Sequence, residues 1–133
     1  MRYFLDTNIC IYALKNTYPH IKEMMEKLSP SEIAIPSMVK AELYYGAYKS
    51  NKKKKVITAL DKFLFPFEVI PFSDDVIMTY ARIRSDLEKK GNIIGPNDLI
   101  IAATPLAYGG ILITHNIKEF ERIDELPVED WAT

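Results

Sequence analysis

Short apolar stretches, rich in β-branched and aromatic residues, alternate along the whole chain with longer stretches of helical periodicity. The strand-like stretches cover residues 2–5, 33–36, 67–71 and 111–114, and a last one lies near Val128. Because these stretches are apolar throughout, they indicate strands that are buried on both faces of a sheet. Strands that alternate with helices predict an α/β fold with a mostly parallel sheet and right-handed crossovers.

Helices are expected between these strands. The best marked begins after Ser73, which can cap it, and ends at Gly91, a residue that commonly follows a helix. Pro105 lies inside another predicted helix, where it removes one hydrogen bond and clashes with the carbonyl of Ile101. That helix is therefore expected to kink or to stop early. The predicted helices cover residues 9–15, 19–28, the stretch that contains Glu42, 53–63, 74–90 and 96–108.

Size and composition limit the possible functions. The 133 residues suffice for one domain with its own core, and no repeat or linker marks a second, so one domain over residues 1–133 is expected. The net charge of −1 argues against broad nonspecific binding of nucleic acid, which usually needs a basic excess. No stretch reaches the roughly 18 apolar residues of a membrane helix. A single cysteine, Cys10, cannot form an intrachain disulfide, and a cytoplasmic protein is expected.

Three acidic residues lie at positions where the neighbouring residues of the predicted element are mainly apolar. Asp6 ends the first strand, Glu42 lies between apolar positions of its helix, and Asp98 opens an almost wholly apolar helix. Each has an ordinary structural explanation, because aspartates favour helix starts and a glutamate can reach solvent from the edge of an apolar face. Together they suggest a shared cation, since neighbouring buried carboxylates are costly unless they are paired or bound to a metal.

The predicted sheet indicates where these side chains would meet. Ligands of open parallel sheets gather beyond the carboxyl ends of the strands, where the strand order reverses. Asp6 directly follows one strand, and Asn116 lies two residues after Thr114, the end of another. Oxygen ligands favour Mg²⁺ or Mn²⁺, and the chain has no histidine–cysteine cluster of the kind that binds zinc. The residues therefore predict a metal-dependent enzyme that acts on phosphodiesters.

A histidine, a run of lysines and three tyrosines could also take part in catalysis or RNA binding, but a structural or solvent-exposed role is favoured for each. His115 borders the predicted site, but a histidine in such a loop is more often a bystander than a base. The lysines could meet phosphates, although a solvated charge run is favoured, and the tyrosines could stack on bases, although a packing role is favoured. These two groups are Lys49 with residues 52–55, and Tyr44, Tyr45 and Tyr48.

Four motifs in a fixed order give the chain a family resemblance. They are residues 4–8, residues 37–43 with Gly46, residues 95–103, and residues 112–116 with Phe120. With them the chain resembles PIN-domain ribonucleases, specifically the VapC-type toxins of bacterial and archaeal toxin–antitoxin pairs, over essentially its whole length. The resemblance implies a three-layer α/β/α sandwich and RNA cleavage that depends on Mg²⁺ or Mn²⁺.

The resemblance also implies roles for particular residues. Asp6, Glu42 and Asp98 match the family's acidic site positions, as catalytic residues and as metal ligands. Asn116 stands where many relatives have a fourth acid, and it is included as a catalytic residue; Glu119 is a possible substitute for that acid. Either Thr7 or Asn8 is expected to orient Asp6 or a bound water, and Ser37 is expected to have a similar orienting role.

The implied reaction is hydrolysis by a metal-activated water, which leaves 5′-phosphate and 3′-hydroxyl ends. The implied partners are the RNA substrate, a small antitoxin that covers the site, and a second copy of the chain in a homodimer. Two alternatives remain. A noncatalytic PIN-like scaffold is favoured by Asn116, and an aspartyl-phosphate phosphotransferase is disfavoured because its second aspartate would stand at Asn8.

Overall fold

The computed structural model describes residues 1–133 and contains one five-stranded sheet with the strand order β3-β2-β1-β4-β5. All four strand pairings are parallel, so the predicted α/β fold is confirmed and the sheet is parallel throughout. Each strand is short, and the central ones are mostly buried, as their apolar sequences predicted. The strands are β1 (Tyr3–Leu5), β2 (Ile33–Pro36), β3 (Glu68–Ile70), β4 (Ile111–Ile113) and β5 (Val128–Glu129).

Seven α-helices connect and cover the strands. They are α1 (Thr7–Lys15), α2 (Pro19–Lys27), α3 (Ser37–Lys49), α4 (Lys53–Leu64), α5 (Asp74–Lys89), α6 (Pro96–Ala107) and α7 (Ile117–Phe120). From β1 the chain moves outward through β2 to β3, and then returns to β4 and β5 on the other side of β1. Because parallel crossovers keep one hand, this reversal places helices on both faces of the sheet. The result is the predicted three-layer α/β/α sandwich.

The six predicted helices are present, and two short elements were missed. The missed elements are α7 and the 3₁₀ turn Pro30–Glu32. Both are too short to show a helical period in the sequence. The remaining boundaries differ from the predicted ones by one or two residues, as is usual at frayed ends.

Two predictions of local structure need correction. Ser73 is the N-cap residue of α5, but its side chain makes no capping hydrogen bond and lies 3.4 Å from the hydroxyl of Tyr108. Helix α6 passes through Pro105 and ends at Ala107, so the proline does not stop it early. Pro105 lies in the last turn, and its carbonyl accepts the closing hydrogen bonds from Tyr108 and Gly110.

The core consists of a main cluster of 27 buried residues and a second cluster of three, and both include side chains of the central strands. Trp131 is its largest fully buried side chain, and its ring lies 5.6 Å from that of Tyr3 on β1. The parallel pairing of β5 with β4 and the hydrogen bond from the Thr114 amide to the Glu129 carbonyl place Asp130 beside the carboxyl end of β4. No helix combines the length and the apolar character that a membrane span requires.

Strands β1 and β4 are neighbours at the centre of the sheet, and the chain leaves them in opposite directions. Their carboxyl ends carry Asp6 and Thr114, both of which are buried. This is the point of strand reversal where ligands bind in open parallel sheets. The candidate site is therefore at this edge.

Candidate active site

Asp6 is fixed at the carboxyl end of β1 by the start of α1. Its Oδ1 accepts a hydrogen bond from the amide of Ile9 at 3.0 Å, and the residue is only 7% exposed. The aspartate is therefore a helix cap, as its ordinary reading predicted, and also a buried carboxylate at the reversal point. Burial raises the pKa of Asp6 to about 6, although the hydrogen bonds of Thr114 and Ile9 lower it. The charge of Glu42 raises it further.

Glu42 on α3 connects three helices. Its Oε1 accepts a hydrogen bond from the Thr7 hydroxyl at 2.5 Å, and its Oε2 accepts one from the Asn97 amide at 3.3 Å. Thr7 is the first residue of α1, and Asn97 lies in the first turn of α6. The side chain is thus held between the starts of two helices, beside both Asp6 and Asp98. The prediction that Thr7 orients Asp6 or a water is not what the structure shows, since its hydroxyl serves Glu42.

Asp98 lies in the first turn of α6 and faces other carboxylates. Burial raises the pKa of Asp98 to about 7, followed in importance by a shared hydrogen bond with Glu119 and by the charge of Glu119. The charges of Glu42 and Asp6 raise it as well. The structure therefore brings together the three acids that the sequence singled out, closely enough that the charges of Glu42 and Asp6 act on Asp98.

Asn116 and Glu119 form the fourth side of this cluster. The Asn116 amide donates to Glu119 Oε2 at 2.9 Å, whereas Glu119 Oε1 is buried and has no hydrogen-bond partner. Glu119 is the carboxylate next to Asp98. Asn116 therefore orients Glu119 through this hydrogen bond. The fourth carboxylate of the cluster is Glu119, which the sequence indicated as a possible substitute for the family's fourth acid. Helix α7, which presents Glu119, is too short for periodicity to reveal.

The cluster has the chemistry of a metal site but is not preassembled as one. No three histidine, cysteine, aspartate or glutamate side chains are arranged to hold a metal ion together. Both Glu42 oxygens and one Asp6 oxygen are engaged by neighbouring donors, and like charges favour separation. The all-oxygen donor set and the unpartnered Glu119 Oε1 nevertheless fit a hard divalent cation, provided that the carboxylates turn toward it.

A groove of about 680 Å³ adjoins Glu42 between α1, α3 and α4. Its floor is mainly apolar and includes Leu43, while Lys15, Lys52 and Lys55 lie at its edges. Two members of the lysine run therefore line the same groove as Glu42, and both are exposed, in agreement with the solvated charge run that the sequence favoured. The three lysines place positive charge along this groove, although the net charge of the whole chain is −1.

The three tyrosines of α3 have different environments. Tyr44 is half-buried and its hydroxyl donates to Asp61, which agrees with a packing role. Tyr45 and Tyr48 are each 65% exposed, so they do not pack within the domain, and packing against a partner protein stays a prediction for them. The ammonium groups of Lys49 and Lys53 lie 5.2 and 5.0 Å from the Tyr45 and Tyr48 ring centroids, within cation–π distance.

Metal-free protein is expected to lose stability as the pH rises through neutrality. Asp6 and Asp98 have pKa values raised from 3.8 to about 6 and about 7, so between pH 4 and pH 7 the folded state binds more protons than the unfolded state. On account of these groups stability is then highest below about pH 4 and falls as the pH rises to about 7. Thermal unfolding in EDTA across this range measures the effect. Added Mn²⁺ should reduce it, and a melting temperature that rises steadily from pH 5 to pH 8 would contradict the raised pKa values.

The fold and the site define a class of protein: an α/β/α sandwich whose acidic residues gather at the carboxyl edge of a parallel sheet. The family model described as the PIN domain matches residues 3–126. The chain is 46% identical over 132 residues to "Ribonuclease VapC2" of Rickettsia felis, with 98% of both chains covered. It is 35% identical to "tRNA(fMet)-specific endonuclease VapC" of Salmonella typhimurium, with 99% of both covered.

Solved structures agree with the sequence comparison. The structure of VapBC2 from Rickettsia felis, bound to a promoter DNA fragment, superposes with a TM-score of 0.92 at 44% identity and covers 98% of this chain and 99% of that one. VapBC-1 from nontypeable Haemophilus influenzae gives a TM-score of 0.90 at 36% identity, with both chains fully covered. The chain therefore belongs to the PIN-domain family and, within it, to the VapC-type ribonucleases. These nucleases generally depend on a divalent metal ion.

Proposed function

We propose that this chain is an endoribonuclease and the toxin of a toxin–antitoxin pair, and that Asp6, Glu42 and Asp98 hold a Mg²⁺ or Mn²⁺ ion. The observation that carries the proposal is the meeting of three carboxylates from the end of β1, α3 and α6 at the reversal point of the sheet, where the charge of Glu42 raises the pKa values of both Asp6 and Asp98. A cation would turn this repulsion into attraction. The proposal treats residues 1–133 as one domain.

The chain's own residues would position the reacting groups. A bound divalent ion would supply an activated water and neutralise the charge that develops on the phosphate. Thr7 and Asn97 fix Glu42, and the amide of Ile9 fixes Asp6. Asn116 holds Glu119 beside Asp98, so we assign Asn116 a positioning role and add Glu119 to the acidic set.

The substrate is proposed to be RNA, with initiator tRNA as the first candidate. Two curated relatives, 35% and 33% identical, are named tRNA(fMet)-specific endonucleases, whereas the 46% identical relative is named only as a ribonuclease. The test is incubation of the purified chain with initiator tRNA, elongator methionine tRNA and total RNA, with and without Mg²⁺, followed by end mapping. We expect 5′-phosphate and 3′-hydroxyl ends that require Mg²⁺. A 2′,3′-cyclic phosphate would show attack by the ribose hydroxyl and would overturn the proposed reaction.

A noncatalytic scaffold is the second candidate, and one observation favours it: no metal site is preassembled. Calorimetric titration with Mn²⁺ separates the two candidates, with Asp6→Asn as the comparison variant. A nuclease should bind the ion with site-specific stoichiometry that the substitution removes. A scaffold should show no binding that depends on Asp6.

We further propose an antitoxin partner, a homodimer and a cytoplasmic location, where RNA and a co-expressed antitoxin would both be present. The similar solved structures are VapBC complexes, which supports the antitoxin. The apolar side chains of Phe72, Ile77 and Met78, exposed on and beside α5, support contact between copies. Sedimentation equilibrium tests the dimer. Growth rescue by a small protein encoded beside this chain tests the antitoxin.

Replacement of Glu119 by glutamine is expected to lower metal affinity and RNA cleavage by about 10- to 100-fold, because it removes the charge of the carboxylate beside Asp98. Glu121→Gln is the matched control, since Glu121 is exposed and two residues away. Cleavage rates at several Mn²⁺ concentrations measure the effect. Equal rates for the two variants would remove Glu119 from the site.

A further inference from the structure

Three aromatic rings form a cluster beside the acidic site that the proposed reaction does not use. The His115 ring lies 5.6 Å from that of Tyr18 and 6.0 Å from that of Tyr12, and the two tyrosine rings lie 5.0 Å apart. Tyr12 and Tyr18 are half-buried, whereas the His115 side chain is 44% exposed. We call these three side chains the aromatic shelf. It presents ring surface to solvent and rests on the core below.

The aromatic shelf is held rigidly next to the acids. His115 Nδ1 lies 2.9 Å from Asp130 Oδ2, which fixes the ring orientation and leaves Nε2 as the free ring nitrogen. His115 directly follows Thr114, whose side chain hydrogen-bonds to Asp6, and Tyr12 lies on the helix that Asp6 caps. Asp130 is also close enough to raise the pKa of the Asp6 carboxyl. The shelf and the acidic cluster therefore share the carboxyl edge of β1 and β4.

Because the chain lacks a basic excess, a ribonuclease of this charge would need a source of RNA affinity other than phosphate contacts. Proteins that hold RNA through phosphate contacts usually carry a basic excess, but this chain has a net charge of −1. Affinity for a single strand must then come in larger part from the bases, and stacking on aromatic rings is the usual source. The His115 side chain is 44% exposed, so its ring is accessible to a base from solvent.

We propose that the aromatic shelf of Tyr12, Tyr18 and His115 binds an unpaired base of the RNA next to the phosphodiester that is cut. The inference rests on the proposed nuclease function and extends it to a subsite for one nucleotide. His115 and Tyr18 are specificity residues in this scheme. They contact the base and take no part in proton transfer.

The test compares His115→Ala and Tyr18→Leu with two matched controls. His20→Ala removes the other histidine, which lies 3.4 Å from Glu23, and Tyr108→Leu removes an exposed tyrosine before the start of β4, at the opposite edge of the sheet. The substrates are a short RNA that spans the mapped cleavage site and copies of it with one abasic nucleotide on either side of the cut. Melting temperatures exclude variants that fail to fold.

The shelf variants are expected to raise KM about tenfold with little change in kcat, because stacking of one base contributes similarly to substrate and transition state. For the wild-type protein, an abasic nucleotide at one of the two positions that flank the cut should raise KM by about the same factor. On that abasic RNA, the KM of the shelf variants should exceed the wild-type KM by less than about twofold, because the stacking contact is already absent. The proposal is wrong if the abasic nucleotide and the shelf substitutions raise KM independently of each other. It is also wrong if the shelf variants behave like the two control variants.

Two further results separate the shelf from the nuclease proposal. If wild-type protein cleaves no RNA, the proposed function fails, and the shelf is then tested by fluorescence anisotropy with labelled single-stranded decanucleotides in EDTA. Binding that the shelf variants and abasic positions do not weaken overturns the shelf. A loss of antitoxin affinity without a change in RNA binding or KM also overturns it, because the rings would then serve a protein partner.

Discussion

Replacement of Asp98 by asparagine should lower metal-dependent RNA cleavage by about a thousandfold while raising the stability of the metal-free protein at pH 8. The loss follows because a negative ligand disappears from a site whose catalytic power is electrostatic. The gain follows because burial and the carboxylates of Glu119, Glu42 and Asp6 all disfavour the charge at this position. Activity and stability therefore move in opposite directions, as expected when charges are kept close together for function.

The measurement pairs single-turnover cleavage with thermal unfolding in EDTA at pH 8. Asp124→Asn is the matched control, because Asp124 is 84% exposed and contacts only Lys90 at 3.6 Å. That variant should retain its cleavage rate and its melting temperature. If Asp98→Asn cleaves RNA at the wild-type rate, the assignment of the acidic cluster as the catalytic site is wrong.

Replacement of Gly110 by alanine should reduce the free energy of unfolding by about 3 kcal/mol, the largest effect on stability that we expect from a single methyl group. A Cβ at this position would lie 2.7 Å from a ring carbon of Phe4 and 2.9 Å from the carbonyl oxygen of Arg2. Phe4 is fully buried and the carbonyl belongs to the backbone beside β1, so neither can move cheaply. Strands β1 and β4 would have to separate locally, which would also disturb the site at their far ends.

Gly46→Ala is the control for this substitution. Gly46 lies within α3, and no atom lies within 4 Å of a Cβ built there. Alanine should therefore stabilise the helix by up to about 1 kcal/mol through its better propensity. Urea unfolding of both variants measures the difference. A Gly110→Ala protein as stable as Gly46→Ala would show that the β1–β4 contact is looser than the structure indicates.

Prediction from the sequence worked best where periodicity is long or residue types are distinctive. The helix α5 and the central strands β1, β2 and β4 follow the apolar pattern closely, and the meeting of Asp6, Glu42 and Asp98 follows from a parallel sheet with acids at its carboxyl ends. Their assignment as metal ligands stays a prediction.

The failures share a physical cause. Helix α7 has only four residues, so no period reveals that Glu119 faces Asp98 while Asn116 holds it. The prediction that His115 is a bystander and not a base stays a prediction, but nothing near it in sequence indicates its contacts with Asp130, which is 15 residues away, or with the ring of Tyr18. Contacts between residues far apart in the chain leave no local signal.

The sequence by itself determined the parallel α/β sandwich, the family motifs and the identity of the three acids, because buried strands and misplaced charges are visible in local composition. Only the tertiary structure decided the hydrogen bonds that hold Glu42, the fourth carboxylate and the aromatic shelf. The reason is geometric: hydrogen bonds and ring contacts act over a few ångströms, and residues distant in the chain come within that range only after the sheet has formed.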